Sequence, residues 1–311
     1  MRNRYKSAAI LVLLVLGPGS ARDLSARDLF VDSRLGDDIA DGRSENPVDE
    51  FSGPLKTISR ALKLVLPGDT VHIANRGVPY FESLEIVGWR FNGGFSIEGN
   101  GAVVSGAKIV PFEAWKHVGN NVWRFTPYRK AWYQLIQGEK AVPEFPCPTG
   151  TVGFPEIPTG QWCAWRGSIY YHAQKGVSPA LGDIAFTFAA EEVGITLLDV
   201  NDVTIHNLEL RHFRLDGANA HDRARNVVLD SVRLIENGRA GLAVGGSSLV
   251  GLKDSTVAGN RVAQLLNTEV AQTEILDSQL VPSALNAEAG SLHIKGGHVL
   301  IDGEEVFAQP R

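Results

Sequence analysis

The chain has little that would point to metal, redox or nucleic-acid chemistry. Its 311 residues include only two cysteines and one methionine. Two thiols without a flanking histidine motif exclude a zinc module of the usual four-ligand kind. The formal net charge of -5 leaves no basic stripe for a phosphate backbone, which excludes nucleic acid as the expected partner. Long apolar runs are missing except for Ala8 to Leu16, which is short for a bilayer span. Preceded by Arg2, Arg4 and Lys6 and followed by Gly19-Ser20-Ala21, that run predicts a secretory signal over residues 1–21. The mature chain is then secreted or periplasmic, with no membrane association after cleavage, and is expected to be a monomer. In such a compartment Cys147 and Cys163 are expected to form one disulfide.

The chain does contain a repeat. Ile205, Leu229, Leu252 and Ile275 are spaced by 24, 23 and 23 residues. Asn207, Ser231, Asp254 and Asp277 follow them by two, and Leu210, Leu234, Val257 and Leu280 come three further on. Within each repeat apolar and polar residues alternate, the period of a strand. Asn, Asp and Ser at one fixed place mark a bend, because they tolerate left-handed dihedrals. A third apolar pair recurs as Ile195/Leu197, Ala218/Ala220 and Leu242/Val244. A period of this length predicts an all-β solenoid, a right-handed parallel β-helix whose equivalent residues stack about 4.8 Å apart.

Upstream, Leu55, Ile58, Ala61, Leu62 and Val65 recur at helical spacing, with Pro54 as the expected first helical residue. This predicts a capping helix over the open end of the solenoid. Val71 and Ile73 are matched 24 residues later by Phe95 and Ile97, so the coils begin here. The expected organisation is a signal over 1–21, a cap and first coils over 22–106, a β insertion over 107–192, main coils over 193–290 and a C-terminal cap over 291–311. Leu292 and Ile294 predict one shortened rung, and Asp302-Gly303 a closing hairpin.

The run Phe30-Val31-Asp32, Gly36-Asp37-Asp38, Pro54-Leu55-Lys56-Thr57-Ile58 and Pro67-Gly68-Asp69-Thr70-Val71 resembles the N-terminus of secreted right-handed β-helix proteins of the pectin-lyase-like superfamily. Val104 to Ala107, Gly119 to Trp123 and Gln134 to Lys140 resemble the small β insertion of the same proteins. The resemblance implies this fold and a polysaccharide or oligosaccharide partner. The aspartate cluster with Gly-His-Gly of polygalacturonases, the calcium-binding aspartates of pectate lyases and the Asp-Pro-His-Glu of alginate epimerases are all missing, so it implies no single activity.

The outward residues offer several candidates. His206, Asp230 and Lys253 form one outward row and Glu209 over Arg233 another, as on any solvated sheet face. Asp216 precedes the strand Gly217 to His221, from which Asn219 and His221 should point outward, and their next-coil neighbours Ala243 and Gly245 would leave a shallow groove. Arg214, Asp222, Glu236 and Arg239 come from the adjoining bends. Asp216 and Glu236 are the expected carboxyl pair of a glycoside hydrolase, with His221 as the third catalytic group. A polysaccharide lyase would instead use His221 as base with Arg214 or Arg239 against a uronate. Arg214, Asn219, Asp222 and Arg239 are expected to bind substrate.

Five of the six tryptophans lie in the insertion. They form either its core or a platform for sugar rings, with Trp162 and Trp165 expected to be the exposed, substrate-binding pair. No cofactor is expected, apart from a possible calcium ion at Asp32, Asp37, Asp38 and Asp41. The reading is an exported carbohydrate-active protein, leaning to an enzyme and to a hydrolase over a lyase. The alternative is a non-catalytic glycan-binding or cell-surface structural protein.

Overall fold

The computed structural model describes residues 26–148, 150–283 and 292–307, so the expected signal at 1–21 lies outside the described residues. Two parallel sheets wind the solenoid. The larger one runs through Asp28–Val31, Thr70–Ile73, Phe95–Ser105, Val203–Arg211, Val227–Asp230, Leu249–Lys253, Gln272–Leu276 and His298–Ile301. The smaller one runs through Leu84–Val87, Val193–Leu198, Asp216–His221, Ala240–Val244, Ala263–Asn267 and Leu292–Ile294. Successive coils place Ile205 beside Leu229, Leu229 beside Leu252 and Leu252 beside Ile275. All four side chains are at most 1% exposed.

Bend chemistry explains why the strands turn where they do. Asn207, Ser231, Asp254 and Asp277 have φ of 52°, 55°, 48° and 48°, the left-handed region that short polar residues tolerate. A second bend is closed from within by buried asparagines. Asn237 Oδ1 accepts from the Phe213 N–H at 3.0 Å, and Asn260 Oδ1 accepts from the Asn237 N–H at 2.9 Å. These side chains satisfy backbone groups that the corner removes from the sheet ladder. Glu236 immediately precedes this ladder.

Two local expectations change. Val71 pairs with Ile97 and not with Phe95. A slip of two residues keeps every side chain on its own face, so alternation cannot distinguish the registers. The capping helix runs only over Ile58–Leu64, with Thr57 as N-cap accepting from the Arg60 N–H. Pro54 lies outside it, since Leu55 bridges Val31 in parallel and donates its N–H to the Phe30 carbonyl. Ile58, Ala61 and Leu62 still bury against the first coils, as a cap requires.

At the far end, His298–Ile301 and Glu304–Val306 form the expected hairpin, with Asp302 and Gly303 both at positive φ. Between Ser105 and Val193 lie two four-stranded antiparallel sheets that share a separate core, including Trp115, Phe125, Leu135, Trp162 and Phe188. Ion pairs tie this insertion to the solenoid: Arg211 to Glu139 at 3.1 Å and Arg261 to Glu144 at 2.6 Å.

Candidate active site

At the seam between insertion and solenoid lies a partly open pocket of about 210 Å³, lined among others by Gln134, Glu144, Trp162, Glu236, Gly259 and Arg261. Glu236 enters it from the solenoid, held at a left-handed φ of 52° beside the asparagine ladder. One coil further on stands Gly259, where an added Cβ would lie 3.4 Å from Glu236 Cγ. Gly259 itself has φ 66°, a left-handed conformation that glycine adopts without strain. His212 Nε2 lies 3.0 Å from Glu236 Oε2, with the imidazole itself buried. That hydrogen bond, with help from the Ala141 N–H and against the effect of burial, holds Glu236 below the ordinary carboxylate range.

Glu144 enters from the insertion. Its segment is fixed by Trp162, whose Nε1 donates to the Val142 carbonyl at 2.9 Å and whose carbonyl accepts from the Phe145 N–H at 2.7 Å. Burial pushes the Glu144 carboxyl up, although Arg261 Nη2 donates to its Oε1 at 2.6 Å. The cavity thus holds two carboxyl groups displaced in opposite directions. Gln134, also buried in its wall, has an Oε1 without a hydrogen-bond partner.

The residues singled out in the sequence are distributed differently. Glu236 belongs to this cavity, whereas Asp216 is fully buried and is not among its lining residues. Asp216 Oδ1 and Oδ2 accept from Arg239 at 2.9 and 2.5 Å, and Asn219 donates to Oδ2 at 2.8 Å. This group ties two neighbouring coils of the smaller sheet together, since the Ala240 N–H also donates to Asp216 Oδ1. His221 and Asp222 lie together on the other side of that sheet's strand end, 3.7 Å apart, with Gly245 beside His221. Arg214 is 7% exposed and fastens the insertion, donating to the Lys130 carbonyl at 3.2 Å and pairing with Glu192.

Trp162 corrects an expectation: it is 2% exposed, on the strand Trp162–Trp165, and serves as a core residue that positions Glu144. Trp165 is half-buried and packs edge-on against Phe154 and Tyr170. Cys147 and Cys163 are free thiols in contact with each other, and burial pushes the Cys163 thiol up to about 12. The four N-terminal aspartates are engaged locally. Asp32 meets Arg76 at 2.5 Å, Asp37 accepts from the Ile39 N–H, Asp38 from the Thr57 N–H and Asp41 from the Arg43 N–H. Among the described residues no group of three or more His, Cys, Asp or Glu is placed to hold a metal ion.

Glu144 and Gln134 were the residues that sequence reading missed. Nothing in their own neighbourhood signals them, because the insertion lacks the period that aligns the coils. His212 and Glu236 are 24 residues apart, one coil, and that spacing was available.

The stacked parallel coils, left-handed bends and capped ends define a parallel β-helix. No family model matches the chain, and no curated protein matches its sequence. Among solved structures, a glycoside hydrolase superposes with a TM-score of 0.53 at 12% identity, covering 84% of this chain and 74% of that one. XylC in complex with xylose gives 0.46 at 12% identity, with 82% of this chain and 62% of that one. A GH136 lacto-N-biosidase from Eubacterium ramulus gives 0.38 at 12% identity, with 82% and 43%. The chain therefore spans less than two thirds of the length of two of these three structures, and at such identity the likeness is one of fold.

Proposed function

We propose that the protein is an exported carbohydrate-active enzyme that hydrolyses a glycosidic bond in the seam cavity. The observation that carries this reading is the pair Glu144 and Glu236, two carboxyls in one cavity with their proton affinities moved apart. Glycoside hydrolysis needs that combination, one carboxyl protonated and the other ionised at the same pH. Glu144, raised by burial, donates its proton to the leaving oxygen. Glu236, kept ionised by His212, acts on the opposite side of the scissile bond, either drawing a proton from water or attacking the sugar carbon. One water is consumed per bond, and Glu144 and Glu236 end in their starting states. Arg261, donating to Glu144 Oε1 at 2.6 Å, orients the acid.

The fold shared with a glycoside hydrolase is in keeping with this chemistry. The Met1–Ala21 segment supports export, and the reading needs neither cofactor nor second subunit. The experiment is to expose the purified protein to a panel of polysaccharides and measure new reducing ends alongside unsaturated products. Reducing ends without unsaturation support the hydrolase; unsaturated sugars would support a lyase in its place.

A further inference from the structure

Trp89 is the one tryptophan outside the insertion, and at 83% exposure it is the most exposed of the chain's large aromatic side chains among the described residues. It stands on a single 3-10 turn, Trp89–Phe91, immediately after the strand Leu84–Val87. The turn is pinned from below. Phe91 is buried with its ring 5.5 Å from that of Phe95, and Arg90 lies over Phe91 while donating to the Leu62 carbonyl at 2.8 Å. Gly88, at φ 93°, donates its N–H to the Leu198 carbonyl at 2.9 Å. The indole is thus held outward by neighbours that are themselves fixed, so presenting it costs little further ordering.

Beside it lies an open cleft of about 490 Å³, lined also by Asn92, Asp199, Asn201, Arg223 and Arg225. The coil repeat determines how these charges combine. Arg223 stands one coil from Asp199 and donates to it at 2.8 Å, so the two offset each other. Arg225 bridges Asn201 through the backbone one coil away and is exposed, with no acidic partner among the described residues. Val87, 39% exposed, stands next to Leu198 in the adjoining coil and extends the apolar strip. The cleft therefore offers a flat aromatic face, a short apolar strip, amide side chains and one guanidinium without an acidic partner. A sugar ring uses its apolar face on an indole and its hydroxyls on amides, and a guanidinium matches a planar or tetrahedral oxyanion.

We propose that the Trp89 cleft is a second saccharide-binding site, separate from the seam cavity, for a glycan chain that carries carboxylate or sulfate groups. One ring lies on the indole of Trp89 and an anionic substituent of the same chain is held by Arg225. The site binds without cleaving, and it anchors the protein to an extended glycan whether or not Glu144 and Glu236 are catalytic.

The test is calorimetric titration of the full chain in the E236Q background, which removes turnover, with three hexasaccharides: oligogalacturonate, a sulfated carrageenan fragment and neutral xylohexaose. At least one anionic chain is expected to bind, more weakly as salt is added. W89A and R225Q, both exposed positions whose melting temperatures serve as folding controls, should each weaken that binding about tenfold. The carboxylate and sulfate arms decide which substituent Arg225 reads. Equal binding of xylohexaose, binding unchanged by both W89A and R225Q, or no binding of either anionic chain would each overturn the proposal. The hydrolase reading is left intact by any of these results, because it is measured as reducing ends from the unmutated protein.

Discussion

Glu144 of the insertion and Glu236 of the solenoid line the same cavity, and their carboxyls are moved in opposite directions, the first up by burial and the second down by His212. They are 92 residues apart in sequence, Glu144 at an isolated bridge to Trp162 and Glu236 at the bend after Arg233–Ile235. Their meeting depends on the insertion docking against one particular bend.

The pair predicts a bell-shaped pH dependence of kcat/KM. Activity should rise as pH climbs through the depressed value of Glu236, which must be ionised. It should fall as pH passes the raised value of Glu144, which must be protonated. Replacing His212 by Phe should move the acidic limb upward, because its hydrogen bond is the largest effect holding Glu236 down. Rate measurements across pH on both proteins check this.

Acid stability has a separate origin. Burial raises the Asp32 carboxyl, but Arg76 and the Leu35 and Arg34 N–H groups outweigh it, so the folded value lies below the unfolded one. Asp69 behaves alike through Arg27 and the Leu66 N–H. Depressed carboxylates contribute stability that is fully present above the unfolded pKa of about 3.9 and is lost as pH falls through the folded values. Thermal melts from pH 6 downward, at about one-unit steps, should show the loss below about pH 4, and D69N should weaken the dependence.

The inner column predicts a graded cost. Leu229 is 1% exposed between Ile205 and Leu252, so L229A should destabilise by about 2–5 kcal/mol, measured by denaturant unfolding. Ser231 at φ 55° is a different case. S231G should be nearly neutral, while the β-branched S231V should be clearly destabilising.

Contact between Cys147 and Cys163 predicts a disulfide under oxidising conditions. Non-reducing peptide mapping after exposure to oxidised glutathione should recover the two cysteine peptides joined. The chain-entropy gain for a loop of this size is about 3 kcal/mol, read as a higher melting temperature than that of C147S.

The solenoid was legible in the sequence because its physics is periodic. One buried position per turn fixes Ile205, Leu229, Leu252 and Ile275, and one left-handed position fixes Asn207, Ser231, Asp254 and Asp277. Where two registers bury the same faces, as for Val71 against Phe95 or Ile97, alternation decides nothing. The site was half legible. Glu236 stood out as a bend carboxylate, but its partner comes from an aperiodic insertion whose docking is set by tertiary contacts such as Arg261 to Glu144. Trp162 was misplaced for a related reason: flanking Gly and Cys suggested a loop, whereas the small sheets of the insertion need its indole to fill their core.

The central claim is tested most directly by reducing-end release from a polysaccharide panel, comparing the unmutated protein with E144Q and E236Q. The account predicts activity on at least one polysaccharide, without unsaturated products, and a loss of about 100-fold or more in each variant whose melting temperature is unchanged. Full activity in either correctly folded variant, or no reducing ends from any polysaccharide by the unmutated protein, would contradict it.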